Sequence, residues 1–408
     1  MNSYLTKGNF LIIVVIYIAL QLTDFNQSMT SYWIGPYLSA AINFDWSDFV
    51  LRVDMNEIKE FSKLSTSQMF LYSFSSTDDL IEYDYLAKGL VFALIFSKKV
   101  FFWLGDLESL QYLQYIIHIV LSIVILNLFE KKYQKVLFFF LYVINPLILW
   151  VVNYPFYYFW QVIPSAIFIY WHMKKCIKFP LFLVFSVIFA YIYISRPTVL
   201  FLIVLFYILY ALKNSYKQSF TGFILFLILI SLTPKLSIGP WHTAYVGIGA
   251  YSNKYNIELS DNSGYKFYKD ITGKVVNSGN IMVKEIKEDY YNHLKERLIE
   301  IVKEFPMMFV KNAIFNTIQA YSIGYSHSLN KKYGNKLIYL SLFIGIMMIS
   351  FLIYTKQYII FLAIGFSTGS FTIYYPPILT YMYGNFILLV VGFIGIIEYF
   401  LRKKQDAK

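Results

Sequence analysis

Residues 180–212 read PLFLVFSVIFAYIYIS-RP-TVLFLIVLFYILYAL, two uncharged apolar runs separated only by Arg196 and Pro197. Crossing a bilayer takes about 20 consecutive, mostly apolar residues. With their flanks, both runs approach that length. Proline cannot continue a helix, so the junction reads as a tight turn between two spans. Comparable runs occur at 9–22, 111–128, 136–152, 156–171, 220–235, 337–354, 357–375 and 381–400. The fold expected is an all-α polytopic membrane protein with about ten transmembrane helices.

Composition agrees with this class. Of 408 residues, 58% are hydrophobic and 14% charged, whereas soluble domains carry about 25% charged residues. A lone cysteine, Cys176, leaves no intramolecular disulfide and no cysteine-based zinc cluster. His118, His172, His242, His293 and His327 are scattered, without HExxH spacing. A divalent metal is compatible with the chemistry considered below, but nothing indicates one and no cofactor is identified. The wealth of Lys, Ile, Tyr, Phe and Asn suggests an AT-rich bacterial genome.

Charge placement sets the orientation. Short basic connections lie between alternate runs: Lys131, Lys132 and Lys135; Lys174, Lys175 and Lys178; Lys213 and Lys217; Lys356; and the tail Arg402, Lys403, Lys404. The positive-inside rule puts all of them, with Lys7, in the cytoplasm. Ten spans with both termini inside satisfy every placement. No small-x-small cleavage site follows the first run, which reads as a retained signal anchor. The net charge of +11 is therefore an orientation signal, and no nucleic-acid partner is expected. The location expected is the bacterial cell (inner) membrane.

The division that results is residues 1–23, a first span; 24–110, an outer loop; 111–235, a bundle of about six spans; 236–336, a second outer loop; and 337–408, three spans and a basic tail. Tyr85–Leu104 carries Lys88, Lys98 and Lys99, and Met307–Tyr325 carries Lys311, Asn312, Asn316 and Gln319. Both are read as interfacial or re-entrant helices. Twelve acidic residues fall in the first loop and nine in the second; the exceptions are Glu130, Glu398 and Asp406. Spans so poor in acids are unlike ion-coupled transporters, which carry ionisable groups near the midplane. In the second loop, residues 247–280 are rich in Gly, Asn and Asp. Ile286, Tyr290, Leu294, Leu298, Ile301, Val302 and Phe305 then recur at helical spacing, predicting an amphipathic helix ended or kinked by Pro306. The sequence holds no GxxxxGK[ST] loop, and Gly247-Ile-Gly249 is no dinucleotide fingerprint.

One span, a long acidic outer loop and then a multi-span bundle resembles the GT-C class of membrane glycosyltransferases. Glu82-Tyr-Asp84-Tyr85-Leu-Ala87 is similar to an acidic-x-x-Tyr-x-Ala pattern in that class. Asn145-Pro146, Arg196-Pro197 and Phe305-Pro306 add to the likeness. The paired Asp-Glu of the class is absent, and its Arg-Tyr before the last span is replaced by Thr380-Tyr381-Met-Tyr383. The resemblance implies a polyprenyl-phosphate sugar donor, reached from the bilayer, and a lipid-linked or surface glycan, or a protein, as acceptor. Such a reaction needs a carboxylate to take the acceptor's proton and cationic groups around the departing phosphate.

Asp84 and Asp24 lead as the base, with Glu82 beside them. Asp78 and Asp79 come close behind, Asp45 and Asp48 are weaker still, and any of these can be a solvated loop acid. For the phosphate, Arg196 stands out: a chain with only four arginines places one between two apolar runs. Its planar paired donors suit phosphate, although a structural arginine there would snorkel to headgroups. His242, after Pro240 and Trp241, is a second phosphate or hydroxyl ligand, or an interfacial anchor. His118 reads as a hydrogen-bonded bundle residue. Tyr154, Tyr157, Tyr158, Tyr374, Tyr375, Tyr381 and Tyr383 read as an aromatic belt with one or two rings free to stack on sugar. The alternative functions are an O-antigen or capsule polymerase or ligase, and a non-enzymatic glycan or lipid flippase or transporter.

Overall fold

Asn145 and Pro146 break one of the expected spans in two. In the computed structural model, which describes residues 7–23, 31–84, 87–175, 177–233, 239–326 and 336–406, the helix from Lys132 passes through a π turn at Phe139–Val143 and stops. Asn145 caps a new helix, Pro146–Asn153, by accepting from the Leu147 amide, with proline at the first helical position. The two pieces are bent by 50°. A π turn frees carbonyls, and an unpaired carbonyl in an apolar interior is costly. His118 supplies a partner, with Nε2 3.1 Å from the Val143 carbonyl oxygen.

The described residues are otherwise mostly helical, with almost no strand. Three described helices are long and apolar enough to cross a membrane: Asp106–Leu126, Lys336–Tyr354 and Tyr383–Asp406. The bent pair makes a fourth if it counts as one span. Gly8–Leu22, Phe179–Ser195, Pro197–Lys213, Tyr216–Ser231 and Tyr358–Thr372 are apolar but shorter. The run at 156–171 is not helical throughout. Residues 154–158 are irregular, a 3-10 turn follows at Phe159–Gln161, and the α-helix spans Val162–Lys174. Phe179–Ser195 and Leu200–Lys213 are the two helices flanking Arg196, with a 3-10 turn at Pro197–Val199 between them.

Buried polar side chains fasten the bundle where helices end. Asn153 closes one helix by donating Nδ2 to the Leu20 carbonyl at 3.1 Å, while Gln111 Nε2 donates to its own carbonyl at 2.8 Å. Gln114 donates to the carbonyls of Val152 and Tyr154, both at 2.9 Å. These contacts hold the 154–158 segment, with Tyr157 and Tyr158, in one place.

The segments read as outer loops form small helical layers. In the first, Ser31–Ile42 packs on Met55–Phe61 and on Gly89–Val100. Gly89–Val100 lies within the interfacial stretch expected at 85–104 and buries Leu90, Val91, Ala93 and Leu94. Two-residue strands, Arg52–Val53 and Ile81–Glu82, pair antiparallel. In the second, Trp241–Gly247, Asp261–Thr272 and Lys284–Glu304 pack on one another. Of the periodic face expected, the last buries Tyr290, Leu294, Leu298 and Ile301 but leaves Val302 and Phe305 exposed, and Pro306 opens a separate helix, Pro306–Gln319. Along that helix Asn312, Asn316 and Gln319 are buried, and Asn316 donates to the Thr372 carbonyl at 3.0 Å.

The two segments are stitched together. Tyr83 bridges Val283 in antiparallel fashion, and the Asp84 amide donates to the Met282 carbonyl at 2.9 Å. A strand edge begun in the first segment thus finishes on the second.

Candidate functional site

Where these layers meet the helices around Arg196, a cavity of about 500 Å³ opens. Its walls include Trp33, Tyr37, Trp150, Tyr157, Tyr158, Arg196, His242, Asp261, Tyr291, Tyr375 and Tyr381. The first and second loop segments, the bent pair and the segment before the last helix all contribute.

Arg196 is the C-cap of Phe179–Ser195. Helix and turn meet there under a close contact: a Cβ on Gly89 would lie 2.2 Å from Ser195 Oγ and 2.7 Å from the Ser195 amide nitrogen. Only glycine allows the Gly89–Val100 helix to press on the residue before the arginine. On the other side, Ser370 Oγ donates to the Thr198 carbonyl at 2.6 Å. The backbone around Arg196 is thereby fixed from two directions.

The side chain is 8% exposed. Its guanidinium carbon lies 5.0, 5.0 and 4.5 Å from the ring centroids of Tyr157, Tyr158 and Tyr381. Nε and Nη2 have no hydrogen-bond partner, and no carboxylate pairs with Arg196 among the described residues. A desolvated cation costs several kcal/mol. Cation–π contacts return about 0.5–2 kcal/mol each, so the rings soften the penalty without removing it. An anion entering the cavity would use the idle donors.

A second cluster lines the same cavity. His242 lies in the first turn of Trp241–Gly247, and Asp261 is the first residue of Asp261–Thr272, after the N-cap Ser260. His242 Nε2 is 3.0 Å from Asp261 Oδ1, and Nδ1 is 2.6 Å from the Tyr290 hydroxyl. Burial first, then the neighbouring Tyr265, Tyr291 and Asp261, pushes the Tyr290 phenol far above its ordinary pKa. A carboxylate oxygen accepts, so Nε2 donates to Asp261, and with the ring hydrogen there Nδ1 is left to accept from the Tyr290 hydroxyl. Tyr265 stacks on the imidazole at 5.6 Å and 21°. Gly264 makes room for the pair, since a Cβ there would meet the Tyr290 hydroxyl at 2.4 Å. The Asp261 side chain remains 48% exposed while His242 is buried.

Of the other expected site residues, those described are not part of the cavity lining. Asp84 Oδ2 and the Asp84 carbonyl both accept from Lys287 Nζ at 2.9 Å. Lys287 is 2% exposed, and burial lowers its pKa against the pull of Asp84. Glu82 pairs with Lys284 at 2.9 Å in an exposed setting. Neither acid lines the cavity, and Asp24 lies outside the described residues. Asp78 and Asp79 are likewise not among the lining residues, and Asp45 and Asp48 are held in local turns, with Asp48 bonded to Arg52. The structure thus brings together Arg196 and His242 and adds Asp261, which the sequence reading passed over. Its signal was Ser260-Asp261, an N-cap and first turn, within a stretch otherwise read as irregular.

The chain matches no protein-family model, no curated protein and no solved structure.

Proposed function

We propose that the protein is a membrane glycosyltransferase, moving a sugar from a polyprenyl-phosphate donor to an acceptor hydroxyl outside the cytoplasm. In this reading the apolar helices complete ten spans with both termini inside, in a bacterial cell membrane, as in the GT-C class. The acceptor is a cell-envelope glycan, a glycolipid or a protein. The observation that carries the proposal is the Arg196 side chain, buried on a cavity wall with two donors idle.

An arginine so placed suits a phosphate that acquires charge as the sugar leaves. Charge-assisted contacts of this kind are about twice as strong as neutral ones, and they gain further where water is excluded. The ring-rich walls offer sugar faces a place to stack, and an acid lies on the same cavity to receive a proton. No cofactor takes part in this scheme.

The test is glycan profiling. Cells lacking the gene are complemented with wild type or Arg196→Gln, and their lipid-linked and surface glycans are compared by mass spectrometry. A glycan short of one sugar in both the null and the variant supports a transferase. Complete repeat units that fail to polymerise would point to a polymerase or ligase instead. Unchanged glycans in the null would remove the proposal, and sugar-lipid movement in liposomes without bond formation would favour a flippase.

A further inference from the structure

We infer that the general base of this transfer is Asp261, from the second loop segment, with His242 as its positioning residue; the inference rests on the transferase reading above. Of the first segment's acids, Asp84 is tied to a buried lysine and Glu82 to an exposed one, and neither is among the residues that line the cavity. Asp261 lines the same cavity as Arg196. One of its oxygens is held by His242 and nearly half of its side chain remains open.

The assembly has a direction. With the ring hydrogen on Nε2, His242 donates to Asp261 Oδ1 and accepts at Nδ1 from the Tyr290 hydroxyl, and Oδ2 is left to accept. A carboxylate with one oxygen anchored keeps the orientation of the other, which general-base catalysis requires. In the step, the acceptor hydroxyl oxygen forms a bond to the anomeric carbon. The bond from that carbon to the phosphate oxygen breaks, and its electron pair leaves with the polyprenyl phosphate, beside Arg196. The hydroxyl proton passes to Asp261 Oδ2.

Full-length variants are compared by transfer in isolated membranes of the complemented cells and by thermal unfolding. Binding of polyprenyl monophosphate is also measured on purified protein in nanodiscs. Asp261→Asn is expected to lower kcat by about 100-fold or more with polyprenyl monophosphate affinity unchanged. Asp84→Asn should retain transfer in proportion to folded protein. His242→Gln, which keeps a donor near the Nε2 position, should retain more kcat than His242→Phe at similar KM, a split that a purely structural role would not give. Full transfer by folded Asp261→Asn overturns the inference, and so does loss of transfer in folded Asp84→Asn alone; the transferase reading survives both. Arg196→Gln with undiminished polyprenyl monophosphate affinity removes that reading and the inference with it.

Discussion

Lys287 Nζ donates to two atoms of Asp84 at once, the side-chain Oδ2 and the backbone carbonyl oxygen, each at 2.9 Å across 203 residues of sequence. The pair closes the seam where the Asp84 amide bonds to Met282. A carboxylate that the sequence marks as a candidate base is here bonded to a buried cation.

Removing one partner should cost more than removing both. Asp84→Asn leaves Lys287 buried with a weaker acceptor and should destabilise by about 1–3 kcal/mol, the lower end being favoured by the partial exposure of Asp84. The double variant Asp84→Leu with Lys287→Met should recover most of that loss. Thermal unfolding in detergent distinguishes the two.

The same lysine gives a pH signature. Its folded pKa lies below the ordinary 10.5 because of burial, so in that window the unfolded chain binds the extra proton. Stability from this group is lost at low pH and gained as pH rises from the depressed folded value towards 10.5. Lys287→Met should lack this component when the two are compared from neutral to alkaline pH.

At Arg196, function and stability should part company. Arg196→Met removes a desolvated charge, which costs several kcal/mol, and forfeits smaller ring contacts. Its unfolding midpoint is expected at or above wild type while transfer falls to background. Arg196→Lys should fail as well, because a point charge on a flexible stem cannot present paired planar donors. Activity in membranes, set beside unfolding, reads both outcomes.

Gly89→Ala should act at a distance from the cavity. The added Cβ meets Ser195 Oγ and the Ser195 amide nitrogen, and the second clash is with backbone that carries Arg196. A loss of about 1–3 kcal/mol is expected, with transfer reduced beyond what the lost folded protein explains. Adding Ser195→Ala relieves only the hydroxyl contact, so rescue should be partial.

Orientation can be read by labelling. With Cys176 changed to Ser, Val275→Cys should react with a membrane-impermeant maleimide in intact cells, and Lys217→Cys only after permeabilisation. The reverse pattern would overturn the proposed topology.

Arg196 could be found in the sequence because an arginine between two apolar runs is a local anomaly. Its cage could not, since Tyr157 and Tyr158 sit far along the chain from Tyr381 and each looks like one more interfacial ring. The helix ending before Pro306 was visible in its apolar spacing, whereas Asp261 was hidden by glycine- and asparagine-rich surroundings that resemble loop. Apolar runs gave the helices but not their interruptions. Asn145 and Pro146 mark the break locally, but the partner that His118 on another helix gives the Val143 carbonyl is a contact no window of sequence contains.

The bridge from Tyr83 to Val283 also dictates a timetable. A ribosome making this chain must add some two hundred residues after the first half of the seam before the second half exists. Through that interval the first segment has an unmatched strand edge and Asp84 is without the Lys287 ammonium. The cavity therefore cannot be complete on any nascent chain that has yet to release the Lys284–Glu304 helix, and an abortive product ending earlier would be a membrane-inserted bundle with an open seam, exposed to quality-control proteases.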